Sequence, residues 1–400
     1  MSFEAVQAYM RSEKIDGWLL HDFRGSNQIF TRITGGKKHL SRRTQLFIPA
    51  HGAPHLIVQH LDAPQFNDLS FGGQPVNKTV FISWPDLRRT MESVLSGIKR
   101  VAMEYSPGGA LPIIAIVDAG TIELVRSFGV EVVSSANLIQ VHVAKWPVNS
   151  LPNHALACQQ VDAAKNAAFA LINDRIKAGT PVTEFEVQQL IVAEFNRQGL
   201  EFPDPPIVAA NAHAGDPHHE TNAKTSVAFK RGDWVLIDLW ARRPGDDNLY
   251  CDVTWTGYIR KNADDKPSDK HLSVYYAVQA ARDASVALAQ SKWKAGEAVQ
   301  GWQLDEAARD KIIAAGYGEF IRHRTGHSLS PGPMVHGVGM NLDNLETHDT
   351  REMLPGIGFT VEPGIYLPEF GVRNEINVYV DPTKGPIVTS VAQREPILVG

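Results

Sequence analysis

Two glutamates, Glu362 and Glu375, stand in FTVEPGIYLPEFGVRNEINVYV (residues 359–380), each inside an extended apolar run, with a short turn between the runs. Two aspartates repeat the arrangement upstream. In DWVLIDLWARRPGDDNLYCDVTWTGYI, Asp238 lies inside one apolar strand and Asp252 opens the next. Gly245 is midway between the aspartates, and the LPEF turn is midway between the glutamates. Hairpins symmetric about those points place Asp238 opposite Asp252 and Glu362 opposite Glu375, with Cβ atoms about 4.5–5.5 Å apart. Period-two alternation puts Thr254 on the face of Asp252, Thr360 on that of Glu362 and Arg373 on that of Glu375. Like charges facing each other destabilise a sheet, so two half-buried pairs need shared protons or cations between them. IRHRTGHSLSPGPMVHGVG adds His323, His327 and His336 nearby. Four carboxylates balance two divalent cations. A single strand acid is usually a solvated-face residue, and a single loop histidine is usually structural; the joint occurrence is what points to a two-metal site.

Strands and turns must position these groups. Residues 1–150 alternate apolar strands with helical segments, including a helix expected over 110–128, and this pattern points to an α/β layer with some parallel pairing. The pattern changes near Pro147 and Pro152, which suggest a boundary loop. Beyond it a long helix is expected over 153–178, then a helix with the Thr183/Glu186 capping box and Gly199 just past its end. Hairpin strands, another helical pair (270–291 and 302–315) and terminal strands follow, which describes an α+β unit over 151–400. No tandem repeat of short fixed period is visible.

Composition narrows the function. Hydrophobic residues make up 43% of the 400, enough for sizeable cores, and the formal charge of −5 offers no basic stripe for nucleic acid. Cys158 and Cys251 are too few for a disulfide framework and are expected to be reduced thiols. The opening residues show no secretory pattern and no apolar run approaches a membrane span, so a cytoplasmic protein without a membrane partner is expected.

At these residues the sequence resembles the pita-bread metallopeptidases, in particular their two-domain, creatinase-like branch. RGDWVLIDL, DVTWTG, RTGHSL, VEPGIY and GVRNE resemble the family's motif blocks, and GWLLHDFRGSNQIFTRITGG resembles its early α/β domain. The resemblance implies an α/β creatinase-like domain over 1–150, followed by an α+β pita-bread catalytic domain over 151–400. It implies a five-ligand set: Asp252 and Glu375 bridging two ions, Asp238 on one, His327 and Glu362 on the other. It further implies a metal-bridging hydroxide as nucleophile, Glu362 as proton relay, and His218, His323 and His336 on the substrate side. Arg373 and Thr254 would orient the ligand carboxylates. Oxygen-rich ligation with one imidazole suits manganese, with zinc, cobalt or iron as alternatives. Relatives are commonly homodimers.

The sequence departs from the family pattern at four places. The turn between the aspartates is longer than usual, and SPGP lengthens the stretch between His327 and His336. His218 and His219 compete for one role, with the Pro-His order favouring His218. Trp255 stands where arginine is common, a difference expected at the site wall.

The resemblance implies hydrolysis of the Xaa-Pro bond of dipeptides, as in prolidase, with aminopeptidase P acting on longer peptides as the alternative. A metal-free creatinase-like amidinohydrolase, a metal-dependent lyase and a non-catalytic binding module are the other classes. A strict dipeptidase needs a cation for the substrate's free carboxylate. Arg42 and Arg43 in SRRTQ are the candidates, in the same chain or a partner's.

Overall fold

The computed structural model describes residues 3–36, 38–71 and 73–400. It divides into two compact units, Met1–Ala144 and Lys145–Gly400.

The first unit is built on a six-stranded mixed sheet. Its strand order is Asn77–Phe81, His55–Gln59, Arg43–Pro49, Gly17–Phe23, Arg100–Met103, Glu131–Ser134. The two central pairings, 17–23 with 43–49 and 43–49 with 55–59, are antiparallel; the outer three are parallel. Leu19, Phe47, Ile57, Val101 and Val132 from the strands share a core with Leu87, Met91, Ile122 and Val125 from helices Trp84–Val94 and Ala119–Ser127. The helix expected over 110–128 forms only from Ala119. Pro112 opens a separate 3₁₀ turn, and Asp118 starts the helix anew by accepting a hydrogen bond from the Thr121 N–H. Arg42 and Arg43 are exposed in this unit: Arg42 bonds the Ser41 carbonyl, and the Arg43 guanidinium lies 5.2 Å from the Trp84 ring centroid.

The second unit repeats one design twice. Helices Ser150–Ala178 and Glu184–Arg197 are followed by strands Ile207–Ala210, Trp234–Ala241 and Cys251–Ile259. Helices Asp269–Ala295 and Gly301–Ala314 are followed by Ser328–Leu329, Gly358–Val361 and Ile376–Asp381. Each long helix ends at a left-handed glycine, Gly179 or Gly296, and each following helix starts with a capping box, Thr183/Glu186 or Gln300/Gln303. Pro152 falls inside the first turn of Ser150–Ala178, not in a boundary loop; there its missing N–H deprives the helix of nothing.

Alternation assigns the faces of the strands. Val235, Ile237 and Leu239 share a core with Ala164, Ala168, Ile172, Val187 and Ile191 from the first helix pair. Phe359, Val361, Ile376 and Val378 do the same with Ala289 and Leu304 from the second. Each large apolar side chain so buried contributes about 1.5–3 kcal/mol, which holds the intervening polar residues on the opposite face. At Gly257 a Cβ would approach Phe169 Cε1 to 2.7 Å, so glycine there lets the helix lie close on the sheet.

Candidate metal centre

The two acid-bearing hairpins meet on their polar faces. In the first, Asp238 pairs with Thr254, and Asp252 pairs with Trp240. The expected pairing of Asp238 with Asp252 is therefore two residues out of register. The turn closes through the Asn248 N–H on the Gly245 carbonyl, which makes Gly245 its first residue and not its midpoint. The aspartates become diagonal neighbours, a separation of about 7–8 Å that leaves room between them. In the second hairpin the pairings Val361 with Ile376 and Gly364 with Arg373 share one register, so Glu362 and Glu375 stand opposite each other in the break between the two ladders. Pro363, which has no N–H to donate, lies in that break. The Glu375 N–H reaches the Thr254 carbonyl at 3.3 Å and joins the hairpins.

Thr254 is the hub. Its hydroxyl donates to Asp238 Oδ1 (3.0 Å) or Glu375 Oε2 (2.9 Å) and accepts from Arg373 Nε (2.9 Å). Arg373 Nη2 also holds Asp238 Oδ2. His327 joins from its own strand end: Nδ1 donates to the Ser328 carbonyl at 3.1 Å, leaving the Nε2 lone pair 3.4 Å from Asp252 Oδ2 and 3.5 Å from Glu362 Oε1. Ligand atoms of Asp252, His327 and Glu375 all lie within 4.8 Å of one another. Thr360 fixes Glu362 by donating to Oε1 at 3.0 Å.

The electrostatics fit a cation. Burial, reinforced by Asp238 and Glu362, pushes the Asp252 carboxyl well above the usual carboxylate range. Burial and the neighbouring Asp252 do the same to Glu375. Burial raises Glu362 to about 7 against the opposing charge of Arg373. Burial, with His336 and Arg324, holds His327 neutral, the form that ligates a metal. Crowded carboxylates that retain protons, around an imidazole that refuses one, form a donor set suited to divalent ions.

A prediction follows for metal uptake. A carboxyl whose folded pKa is raised weakens folding as pH rises through that value, and a cation replacing the proton removes the penalty. Metal affinity should therefore climb as pH rises towards and through about 7, with protons released into the buffer. Titration calorimetry in buffers of different ionisation enthalpy measures that release; a pH-independent affinity would contradict it.

A second prediction concerns the hub. Thr254→Val removes the hydroxyl shared by Asp238, Glu375 and Arg373 while keeping the branched shape. Metal affinity should fall about 10–100-fold, as for other groups that orient ligands. Competition with a chelator measures the change.

Around the acids, His336 lies against His327 with ring centroids 4.0 Å apart and planes tilted by 34°, so the SPGP insertion has not carried it away. Arg324 Nη2 lies 3.5 Å from His336 Nδ1, which leaves the Nε2 position free to donate. Burial, then Arg324 and His218, lowers His336 to about 4. His323 differs from expectation. Its Nδ1 bonds the Arg324 carbonyl at 2.7 Å and its Nε2 meets Tyr366 Oη at 2.6 Å, so no ring N–H remains for a substrate. It holds Tyr366 instead, which in turn accepts from Arg373 Nη1 at 2.8 Å. His218 is exposed and close enough to act electrostatically on both His323 and His336; His219 turns away and stacks on His213 at 4.3 Å. Trp255 is also corrected. It lies on the helix face, packed against the core beneath Lys165, whose Nζ is 3.4 Å from the ring centroid, so it forms no part of the acids' wall.

Tyr366, Arg324 and Asn377 were not singled out in the sequence. Tyr366 was reachable: Thr360, Glu362 and Tyr366 continue one period-two face, and Gly364 between them leaves space, since a Cβ there would lie 2.5 Å from Tyr366 Oη. Asn377 brackets Asp252 by accepting its N–H at 3.1 Å and donating to its carbonyl.

The profile of metallopeptidase family M24 matches residues 153–382, which contain every one of these acids. The chain belongs to that family. The putative dipeptidase YkvY of Bacillus subtilis (strain 168) is 32% identical over 222 residues, covering 55% of this chain and 54% of that protein. The Xaa-Pro dipeptidase of Lactobacillus helveticus is 29% identical over 245 residues, 60% of each. The matches thus span little more than half the length of these two relatives. The crystal structure of dipeptidase PepE from Mycobacterium ulcerans superposes with a TM-score of 0.73 at 23% identity, covering 99% of this chain and 96% of that one. This M24 family member therefore has the two-domain fold, α/β followed by pita-bread. Among the described residues no helix is long and apolar enough to cross a membrane.

Proposed function

We propose that this M24 metallopeptidase hydrolyses the Xaa-Pro bond of dipeptides. The observation that carries the reading is the convergence of Asp238 and Glu375 on Thr254 and of Asp252 and Glu362 on His327. The names of the dipeptidase relatives support the substrate class. In this reading Asp252 and Glu375 would serve both of two divalent ions, Asp238 would serve one of them, and His327 with Glu362 the other. Manganese is the proposed metal, on the oxygen-rich donor set. A cytoplasmic homodimer is the proposed form, with residues 151–400 as the catalytic domain.

When bound, the ions supply Lewis acidity and lower the pKa of water. The protein's own groups do the rest. Glu362, anchored at Oε1 by Thr360, takes the proton of the attacking water at its other oxygen. It returns that proton to the proline nitrogen as the carbon–nitrogen bond breaks. His336 donates to the developing oxyanion and His218 orients the amide. For Arg42 and Arg43 we propose the binding of the dipeptide carboxylate; Arg42, without an aromatic partner, is the freer of the two.

Turnover of Ala-Pro, Ala-Pro amide and an Ala-Pro tripeptide by metal-reconstituted protein tests this. The dipeptide should be much the best substrate. Replacing Arg42 and Arg43 together by alanine should raise KM for the dipeptide and leave the amide nearly unchanged. Equal rates on dipeptide and tripeptide would reject the strict dipeptidase and favour aminopeptidase P.

A further inference from the structure

A second cluster of metal-ligating side chains lies outside the centre described above. Glu184 is the first residue of helix Glu184–Arg197 and is fully buried. Its carboxylate accepts the Ala210 N–H at 2.7 Å and the Val227 N–H at 3.0 Å. His213 Nδ1 lies 2.9 and 3.0 Å from its two oxygens. The His219 ring stacks on that of His213, 4.3 Å between centroids and 20° between planes. One ligand atom from each of the three residues lies within 4.8 Å of the other two.

A simple hydrogen bond from His213 Nδ1–H to Glu184 explains two of the three residues. It does not explain His219, whose Nε2 is buried with no hydrogen-bond partner. Leaving a ring nitrogen desolvated and unpaired is unfavourable unless something is bound there. Burial and the neighbouring His213 also keep the His219 ring in its neutral, ligating form.

We propose that Glu184, His213 and His219 form a separate centre for one divalent ion of zinc type. Two imidazoles and one carboxylate are a recurrent zinc donor set, with a fourth position open to water. The donors are richer in nitrogen than the acid-lined centre, which selects zinc over manganese. Tetrahedral zinc separates its donors by roughly 3.3 Å, so the His213–Glu184 spacing already fits; the stacked His219 ring must also turn so that its in-plane lone pair converges with that of His213, closing a gap of at most about 1.5 Å. His213 is part-exposed and gives access for the ion. The ion would tie the start of a helix to the segment following strand Ile207–Ala210. Because His218 precedes His219, it would also fix the backbone that presents His218; that consequence rests on the function proposed above, whereas metal binding does not.

The test uses the full chain, stripped and then dialysed against micromolar zinc. Wild type should hold one more zinc per chain than His219→Ala and than His213→Ala, whatever number the acid-lined centre takes. Anomalous diffraction at the zinc edge should place that ion among Glu184, His213 and His219 in wild type and lose it in His219→Ala, while zinc at Asp252, His327 and Glu375 persists. Equal stoichiometry in wild type and both variants overturns the proposal. So does a zinc peak that survives His219→Ala, or zinc at the acid-lined centre with none here.

Discussion

Glu375→Ala should leave the protein without tightly bound divalent ions and with turnover reduced to background. Glu375 Oε2 receives the Thr254 hydroxyl, and its ligand atoms fall within the same 4.8 Å cluster as those of Asp252 and His327. It thus stands between the Asp238 side of the site, reached through Thr254, and the His327 side. Removing it takes away charge that both proposed ions would need. It also frees Thr254 to donate to Asp238 alone, which rearranges the hub. Burial and three neighbouring acids push the Glu375 carboxyl well above the usual carboxylate range in the metal-free protein, so its charge is unfavourable there and alanine should not weaken the stripped protein on electrostatic grounds. Elemental analysis of the reconstituted variant and its circular dichroism separate loss of metal from loss of fold. Full occupancy together with activity would remove Glu375 from the ligand set.

The acids were legible because each breaks the apolar alternation of a strand that must pack on helices. Asp238 sits between Ile237 and Leu239, both completely buried against the helix pair. Alternation cannot place such a carboxylate in the same core, so a polar face had to exist. Register was less legible. The distance between two acids along the chain does not reveal where the turn between them closes, and one hydrogen bond, Asn248 N–H to Gly245, moved the centre by a residue and the pairing by two. Trp255 is legible from alternation alone, which puts it on the face opposite Thr254 whatever residue relatives carry there. The roles of His323 and Tyr366 depend on which ring nitrogen each partner occupies, and nothing in the spacing of RHRTGHS encodes that. The twofold design of the second unit escaped too. It rests on caps and glycines rather than on similar residues, and it places one acid hairpin after each helix pair.

Glu362→Gln should separate proton transfer from metal binding. The substitution keeps the side-chain volume, and its amide oxygen can still accept from Thr360, so the strand and the His327 contact should stand. The variant loses a negative charge next to His327 and a group able to take and return a proton. If Glu362 relays the proton from water to the leaving nitrogen, kcat should fall by about 10²–10⁴-fold, the usual range for a positioned acid–base group. Weaker metal binding is a separate loss, and raising the metal concentration should recover that part alone. The variant should also lose the ionisation of Glu362 from its pH profile, whatever its value once metal is bound. Two results would remove the relay: a rate restored to wild type by excess metal, or an unchanged acid limb in kcat/KM. Either would reduce Glu362 to a ligand and leave the proton to another group.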